Sequence, residues 1–358
     1  MSDASVTPDA AAAAFVDRLF EQLIGAMDLF HLYVGDRLGL YEALAAGPLD
    51  SHALAERASV SERYAREWLQ QQAVAGVLTL DADGRFALPA GHAEVLLDGD
   101  SLTHFAPVGR AVVGVAGALP QLLDAFRSGA GVPYESYGED LREAIARLNR
   151  PMFLNLLGTE WFPEIADLHE RLTGDPPARV ADVGCGSGWS SIAIALAYPN
   201  ARVTGIDLDR ASIETARRNA IDAGVADRVQ FEVRDAADPA LSGSFDLVCA
   251  FETIHDMCDP IGALAAMRGL RADGGCVLVA DERVADEFTL DVEPTERFQW
   301  AFSALHCLPC ALTDPPAAGT GTVMRTPLFR EYAASAGFAD VEVLAIQHDF
   351  WRFYRLHG

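Results

Sequence analysis

Arg179-Val-Ala-Asp-Val-Gly-Cys-Gly-Ser-Gly-Trp-Ser-Ser191 decides how the rest of the chain reads. An apolar run at 180–183 ends in three alternate glycines, Gly184, Gly186 and Gly188, and a helix-forming run at 190–197 follows at once. Strand, glycine turn and helix make the layout of a nucleotide-binding crossover. Glycine is needed because the backbone must turn sharply and let a ligand come close, with no Cβ in the way. The spacing G-x-G-x-G, with Asp182 inside the strand, departs from the dinucleotide fingerprint G-x-G-x-x-G. By itself it admits any nucleotide-like ligand.

Beyond residue 178 strands alternate with helices, the pattern of an α/β, Rossmann-like doubly wound sheet. Strands are expected at 180–183, 201–206, 229–233, 245–251 and 276–280, with the runs 341–346 and 350–354 supplying the last two. Residues 283–325 interrupt the alternation with an insertion carrying Phe288, Phe298, Trp300, Phe302 and His306. Placed after the fifth strand, it would overhang the ligand crevice.

Ahead of the sheet, the polar run at 1–10 reads as frayed. From Ala11 to about Ala46 apolar residues recur at helical spacing, the stretch 33–41 leading into a short helix that ends near Gly47, and Phe15 to Leu32 lie in the first helix. Its apolar positions lie on more than one side, which points to a second subunit and hence a homodimer. Residues 48–90 read as a winged helix-turn-helix: a short helix at 51–58, Ser61 capping a helix over 62–77, and a hairpin turning at Asp83-Gly84. Residues 91–178 form a helical connector, in which Asn149-Arg-Pro151 interrupts a helix over 141–157 and Trp161-Phe-Pro163 opens another reaching 172. The divisions are then 1–100, an N-terminal winged-helix and dimerisation domain; 101–177, the connector; and 178–358, the sheet domain.

Bulk composition narrows the function classes. A formal charge of −25 over 358 residues argues against a nucleic-acid partner, and the second winged-helix helix balances Arg63 and Arg66 with Glu62 and Glu67. Every basic residue is arginine. Cysteines at 185, 249, 258, 276, 307 and 310 are scattered through apolar runs, as expected of free thiols in a reducing cytoplasm. No basic segment followed by an apolar core opens the chain, and no uncharged apolar run approaches the roughly 20 residues of a membrane span. The expectation is a cytoplasmic protein with no membrane partner.

Asp207 closes the second strand, close to the roughly 20 residues past the glycine turn at which an acid meets ribose hydroxyls. Asp209 competes for that role, or caps the following helix. Asp235, in Arg234-Asp-Ala-Ala237 after the third strand, is a further acid at a strand end. With these acids in order, D-x-G-x-G-x-G resembles motif I of class I S-adenosyl-L-methionine (SAM) methyltransferases. The layout ahead of it resembles small-molecule O-methyltransferases that dimerise through a winged-helix domain. Val60-Ser-Glu-Arg-Tyr-Ala-Arg-Glu-Trp-Leu69, Asn149-Arg-Pro151, Ile254-His-Asp-Met257 and Arg325-Thr326 before the helix at 329–336 extend the likeness over nearly the whole chain, with the insertion matching poorly.

The resemblance implies a SAM-dependent methyl transfer to a hydroxyl, aromatic in many relatives, of a small-molecule acceptor. It implies cofactor contacts from Asp182, Gly184, Gly186, Gly188, Asp207, Leu208, Asp235, Ala236 and Phe251. It also makes His255 the general base, oriented by Asp281 or alternatively Glu282. A histidine near its own pKa can take the proton of a neutral phenol as attack proceeds, an effect of roughly 10²–10⁴-fold. The alternatives are N- or C-methylation by proximity, with His255 an ordinary loop residue, or a SAM-fold protein that senses ligands without methylating. His306-Cys-Leu-Pro-Cys310 suggests a redox pair or half a metal site, which His255 and Cys258 could complete. Its place in an aromatic insertion argues against both, so no metal is expected. Phe153, Trp161, Phe162, Phe298, Trp300 and Phe302 are candidates for the acceptor pocket, and Trp189 is left unassigned.

Overall fold

The structure, a computed structural model, describes residues 8–358, so most of the polar run at 1–10 lies outside the described residues. Two compact units emerge: residues up to Val113 with Glu143–Leu148, and Gly114–Arg142 with Asn149–Gly358. Residues 101–177 are thereby divided between the two.

In the first unit, helix Pro8–Arg37 is followed by Leu40–Ala45, Ser51–Ala58, Glu62–Val74 and a hairpin pairing Thr79–Leu80 with Phe86–Ala87. Leu54, Trp68, Leu69 and Tyr41 form its core. Asp50, not Ser61, supplies the side-chain cap in this region: its carboxylate accepts from Ala53 N at 2.8 Å, whereas Ser61 occupies an N-cap position without a side-chain bond. The second helix ends at Val74 rather than 77, because Gly76 turns left-handed (φ 76°) and Val77 N bonds back to Gln72 O. Along the long helix, Phe15, Val16, Leu19, Phe20, Leu23, Ile24 and Met27 are 41–62% exposed.

The second unit is built on a seven-stranded sheet: β1 (Arg179–Val183), β2 (Arg202–Asp207), β3 (Val229–Val233), β4 (Phe245–Phe251), β5 (Arg271–Glu282), β6 (Asp340–Val343) and β7 (Trp351–His357). The order is β3-β2-β1-β4-β5-β7-β6, parallel except that β7 runs antiparallel to β5 and β6. Both faces are buried, which is why the strands read as apolar runs. Alternate residues divide between two cores. Val180, Leu247, Cys249, Leu278 and Ala280 pack with Ile192, Ile213 and Trp161 on one face. Ala181, Val183, Val248, Val277 and Val279 pack with Leu264, Met267 and Phe329 on the other. The order reverses between β1 and β4, so the crevice at their carboxyl ends is the place for a ligand in this architecture.

Three expectations about the preceding helices and the last strands need correction. Pro151 does not interrupt its helix, which runs Gly138–Met152 and passes into a widened turn at Phe153–Trp161, where the Asn155 amide takes up the Pro151 carbonyl at 2.8 Å. Trp161 closes that segment, and the next helix is Ala166–Thr173. The final strands are shifted by a few residues from 341–346 and 350–354. No helix among the described residues is long and apolar enough to cross a membrane.

The glycines of the β1 turn differ in what they tolerate. A Cβ on Gly188 (φ 82°) would stand 2.6 Å from the Phe231 ring and 2.9 Å from Ala216, whereas one on Gly186 (φ 50°) would meet nothing within 4 Å. Gly188→Ala is therefore expected to cost about 2–4 kcal/mol of stability, left-handed strain plus overpacking, and Gly186→Ala about 1–2 kcal/mol from strain alone. Denaturant titration of the two variants checks this, and equal losses would contradict it.

Candidate active site

Loop geometry at the end of β1 is set by backbone hydrogen bonds. Gly184 N and Cys185 N both donate to Ile206 O, at 2.8 and 3.1 Å, while Gly186 N donates to the Asp207 carboxylate at 2.8 Å. Asp209 N donates to the other Asp207 oxygen at 2.8 Å. A carboxylate has about four acceptor positions, so Asp207 keeps two for a diol. Burial pushes its pKa up to about 6, against the two backbone N–H bonds that favour the ionised form. Asp209 caps helix Arg210–Asp222 through Ser212 and pairs with Arg142 at 2.9 Å, so its carboxylate is already engaged.

Asp182 is placed differently from expectation. It is buried beneath the loop and accepts from the Ser190 and Ser191 hydroxyls at 2.6 Å each. It therefore anchors helix Trp189–Ala197 to β1 and does not face the crevice. Phe251 likewise points into the core, its ring 5.4 Å from Phe153 and 6.5 Å from Phe162. Leu208 is exposed, Ala236 is half-buried, and Asp235 is exposed with one oxygen taken by Ala237 N at 2.9 Å. Trp189 finds a partner in Arg150, whose guanidinium lies 4.5 Å above its ring.

At the end of β4 the chain turns through Glu252, a non-glycine residue at φ 53°, into a short turn at Ile254–Asp256. Backbone strain of this kind concentrates at functional sites. His255 is 2% exposed, and its Nδ1 lies 2.6 Å from Asp281 Oδ1 at the end of β5. Burial alone would lower the histidine pKa, but the Asp281 carboxylate and the Cys307 sulfur against the ring more than offset it and hold it well above its ordinary value. Asp256 beside it is pushed up to about 7 by burial, partly opposed by His255. Glu282 faces Glu252 rather than the histidine, and its pKa is well raised by burial and by that neighbour. His255, Asp256 and Cys307 are the one set of three potential metal ligands among the described residues, their ligand atoms within 4.8 Å of one another. Cys310 and Cys258 fall outside that set; Cys258 turns to Thr313 at 3.1 Å.

Two parts of the site were not anticipated. Tyr134, in a short helical turn at Tyr134–Tyr137, has a hydroxyl whose pKa is raised by burial and by Asp207 and Asp256. Its ring packs on His306, whose ring also meets Tyr137 and Phe302. Burial and His255 drive the His306 pKa down to about 3, leaving a neutral ring with Nε2 unpartnered. Cys307, next in sequence, touches the His255 ring itself. Among the proposed pocket aromatics, Phe153, Trp161 and Phe162 belong to the core, because the widened turn rotates them onto β4 and β7. Trp300 and Phe298 are exposed, Trp300 lying under Arg325 at 5.7 Å, and Phe302 alone joins the His306 cluster. The last helix starts at Thr326 rather than 329, with Arg325 at its N-cap, and the two residues tie the insertion's start to β7 through Ala285 O and Arg352.

Comparison with known proteins follows this geometry. Residues 175–315 match the family described as "Methyltransferase domain", and residues 26–97 the "Rv2258c-like winged HTH domain". The chain thus carries a methyltransferase domain preceded by a winged-helix domain. It is 31% identical to the trans-aconitate 2-methyltransferase of Methylobacterium radiotolerans over 50% of this chain and 64% of that protein. It is 35% identical to the 27-O-demethylrifamycin SV methyltransferase of Amycolatopsis mediterranei over 36% of this chain and 51% of that one. The chain spans about half the length of the curated relatives it matches. Its fold is similar along 98% of the chain to the mitomycin 7-O-methyltransferase MmcR, 99% of which is covered (TM-score 0.67, 22% identity). It is similar over 95% of the chain to 98% of NcsB1 from neocarzinostatin biosynthesis (TM-score 0.64, 20% identity).

The raised His255 pKa fixes a sign. A histidine with a folded pKa above its unfolded value of about 6.5 adds stability that is complete below that value and is lost as pH rises through the folded one. NMR titration of the unliganded protein should place His255 above the ordinary histidine range. Asp281→Asn should bring it down, because burial then acts with its main opponent removed. An unshifted titration in Asp281→Asn would contradict the assignment.

Proposed function

We propose that the chain is a SAM-dependent methyltransferase that moves a methyl group to a hydroxyl oxygen of a small, aromatic acceptor, with His255 as general base. The observation that carries this reading is the buried His255–Asp281 pair, which stands at the ends of β4 and β5 beside the glycine turn. Relatives named as O-methyltransferases support it, as does NcsB1 in complex with S-adenosylhomocysteine (SAH) and 1,4-dihydroxy-2-naphthoic acid.

The residues present fit the cofactor. Open space at Gly186, where a Cβ would stand, lets a ligand approach the backbone, and Asp207 has acceptor positions for ribose hydroxyls. Asp235 has an oxygen left for an adenine amino group, Leu208 can cover the nucleoside, and Arg150 over Trp189 offers a cation for a carboxylate. When bound, the cofactor supplies an electrophilic methyl on a sulfonium. Positioning is the first task in such an in-line displacement. Asp281 holds the imidazole with its proton on Nδ1, which leaves Nε2 to take the acceptor's proton as the oxygen attacks. A sulfonium nearby opposes the imidazolium by like-charge repulsion, so the neutral base forms at lower pH than in the unliganded protein. His255 serves here as base and not as a metal ligand.

The half-exposed apolar residues of helix Pro8–Arg37 support a homodimer, since monomers rarely leave so long an apolar face uncovered. Sedimentation should give about twice the 38.4 kDa chain mass, and Phe20→Glu with Leu23→Glu should give the monomer. A wild-type monomer at micromolar concentration would refute the dimer.

Methyl transfer is tested with labelled SAM and 1,4-dihydroxy-2-naphthoic acid as a probe beside simpler phenols. His255→Ala is expected to lose at least about tenfold in turnover, with SAM affinity kept within about threefold. Unchanged turnover would remove the base from the mechanism.

A further inference from the structure

Beside the proposed base, the ends of β4 and β5 gather hydrogen-bond acceptors in excess of donors. Glu252 and Glu282 are hydrogen-bonded to each other. The Asn149 amide donates to Glu252, and the Gln299 amide donates to Glu282 at 2.5 Å. Gln299 is 1% exposed, and with its N–H group committed there its Oε1 is left buried without a partner. Asp281 Oδ1 accepts from His255 and from Glu282 N, yet its Oδ2 is also buried and unpartnered. Three different elements therefore bring this cluster together: Glu252 from the strained turn after β4, Glu282 from the end of β5, and Gln299 from the insertion helix Pro294–Phe302.

Two carboxyl groups in contact share one proton and keep about one negative charge between them. A buried carboxylate is costly, by several kcal/mol per ion, and the one cation acting on this pair, His255, is already matched by Asp281. The ligand that answers both the charge and the surplus of acceptors is cationic and rich in donors. A neutral hydroxyl offers one donor and no charge, whereas an ammonium offers three donors and the charge. Glu252 is held at φ 53°, so the turn is kept strained while presenting this side chain.

We propose that Glu252 and Glu282, with Gln299 Oε1, bind a protonated amine, and that the acceptor carries this ammonium beside the hydroxyl to be methylated. The inference rests on the methyltransferase reading above. It adds a substrate class to it: hydroxylated aromatic amines over neutral phenols. The methionine part of SAM also carries an ammonium, so the test separates the two sources.

Calorimetry on the full-length protein, with and without SAH, uses tyramine and 3-hydroxybenzylamine against tyrosol and 3-hydroxybenzyl alcohol. Each amine should bind at least about tenfold more tightly than its alcohol counterpart. In Glu252→Gln and Glu282→Gln the preference should fall to within about threefold, with SAH affinity held. Glu252→Gly is a second route to the same loss, since glycine accepts the left-handed backbone without strain. Alcohols binding as well as amines, or neither class binding to protein that binds SAH, would overturn the proposal. So would variants that keep the preference while losing SAH, because the pair would then read the cofactor's own ammonium. Wild-type protein that binds amines but not SAH would refute the methyltransferase reading and leave the amine site standing.

Discussion

No side chain fits between the turn after β1 and the turn after β4: a Cβ on Gly184 would lie 2.3 Å from Thr253 Oγ1. That close approach brings the cofactor loop and the His255 turn together, with Thr253 only two residues before the histidine. The parallel sheet produces it, since β1 and β4 are neighbours at the point where strand order reverses. Asp182 and Asp207 then hold the loop from below and from the side. The positions of His255 and the glycine loop are thus two consequences of one backbone contact.

A buried His–Asp pair is a poor investment for stability, because desolvating two charges offsets most of their attraction. Its retention makes sense for orientation. Asp281 fixes which nitrogen carries the proton, and the turn that carries His255 is itself pinned by Gly321 N donating to the His255 carbonyl at 2.9 Å. The insertion therefore does more than overhang the crevice: it grips His255 from the backbone side while Cys307 meets its ring.

The strands of the sheet and the acids at their ends were legible because periodicity and turn residues encode them directly. His255 and Asp281 were legible for the same reason, each lying at the end of an apolar run. What stayed hidden depends on where side chains turn. Asp182 sits in the motif but faces the hydroxyls of the next helix, which spacing cannot reveal. Phe153 and Trp161 looked like pocket aromatics, and a widened helical turn sends them into the core. Gln299 reaches Glu282 and its neighbour Glu252 only because the insertion folds back to the end of β5, and Tyr134 meets His306 of the same insertion. A glutamate just after an apolar strand was the one local signal for Glu252; Gln299 had none.

The proposed function requires the crevice to present a methyl donor to His255. A crystal structure with SAH tests it most directly. The account predicts ribose hydroxyls on Asp207, adenine beside Asp235, and the sulfur on the side of the glycine turn that faces His255 Nε2. A nucleoside bound away from Asp207, or a sulfur turned from the imidazole, would contradict it.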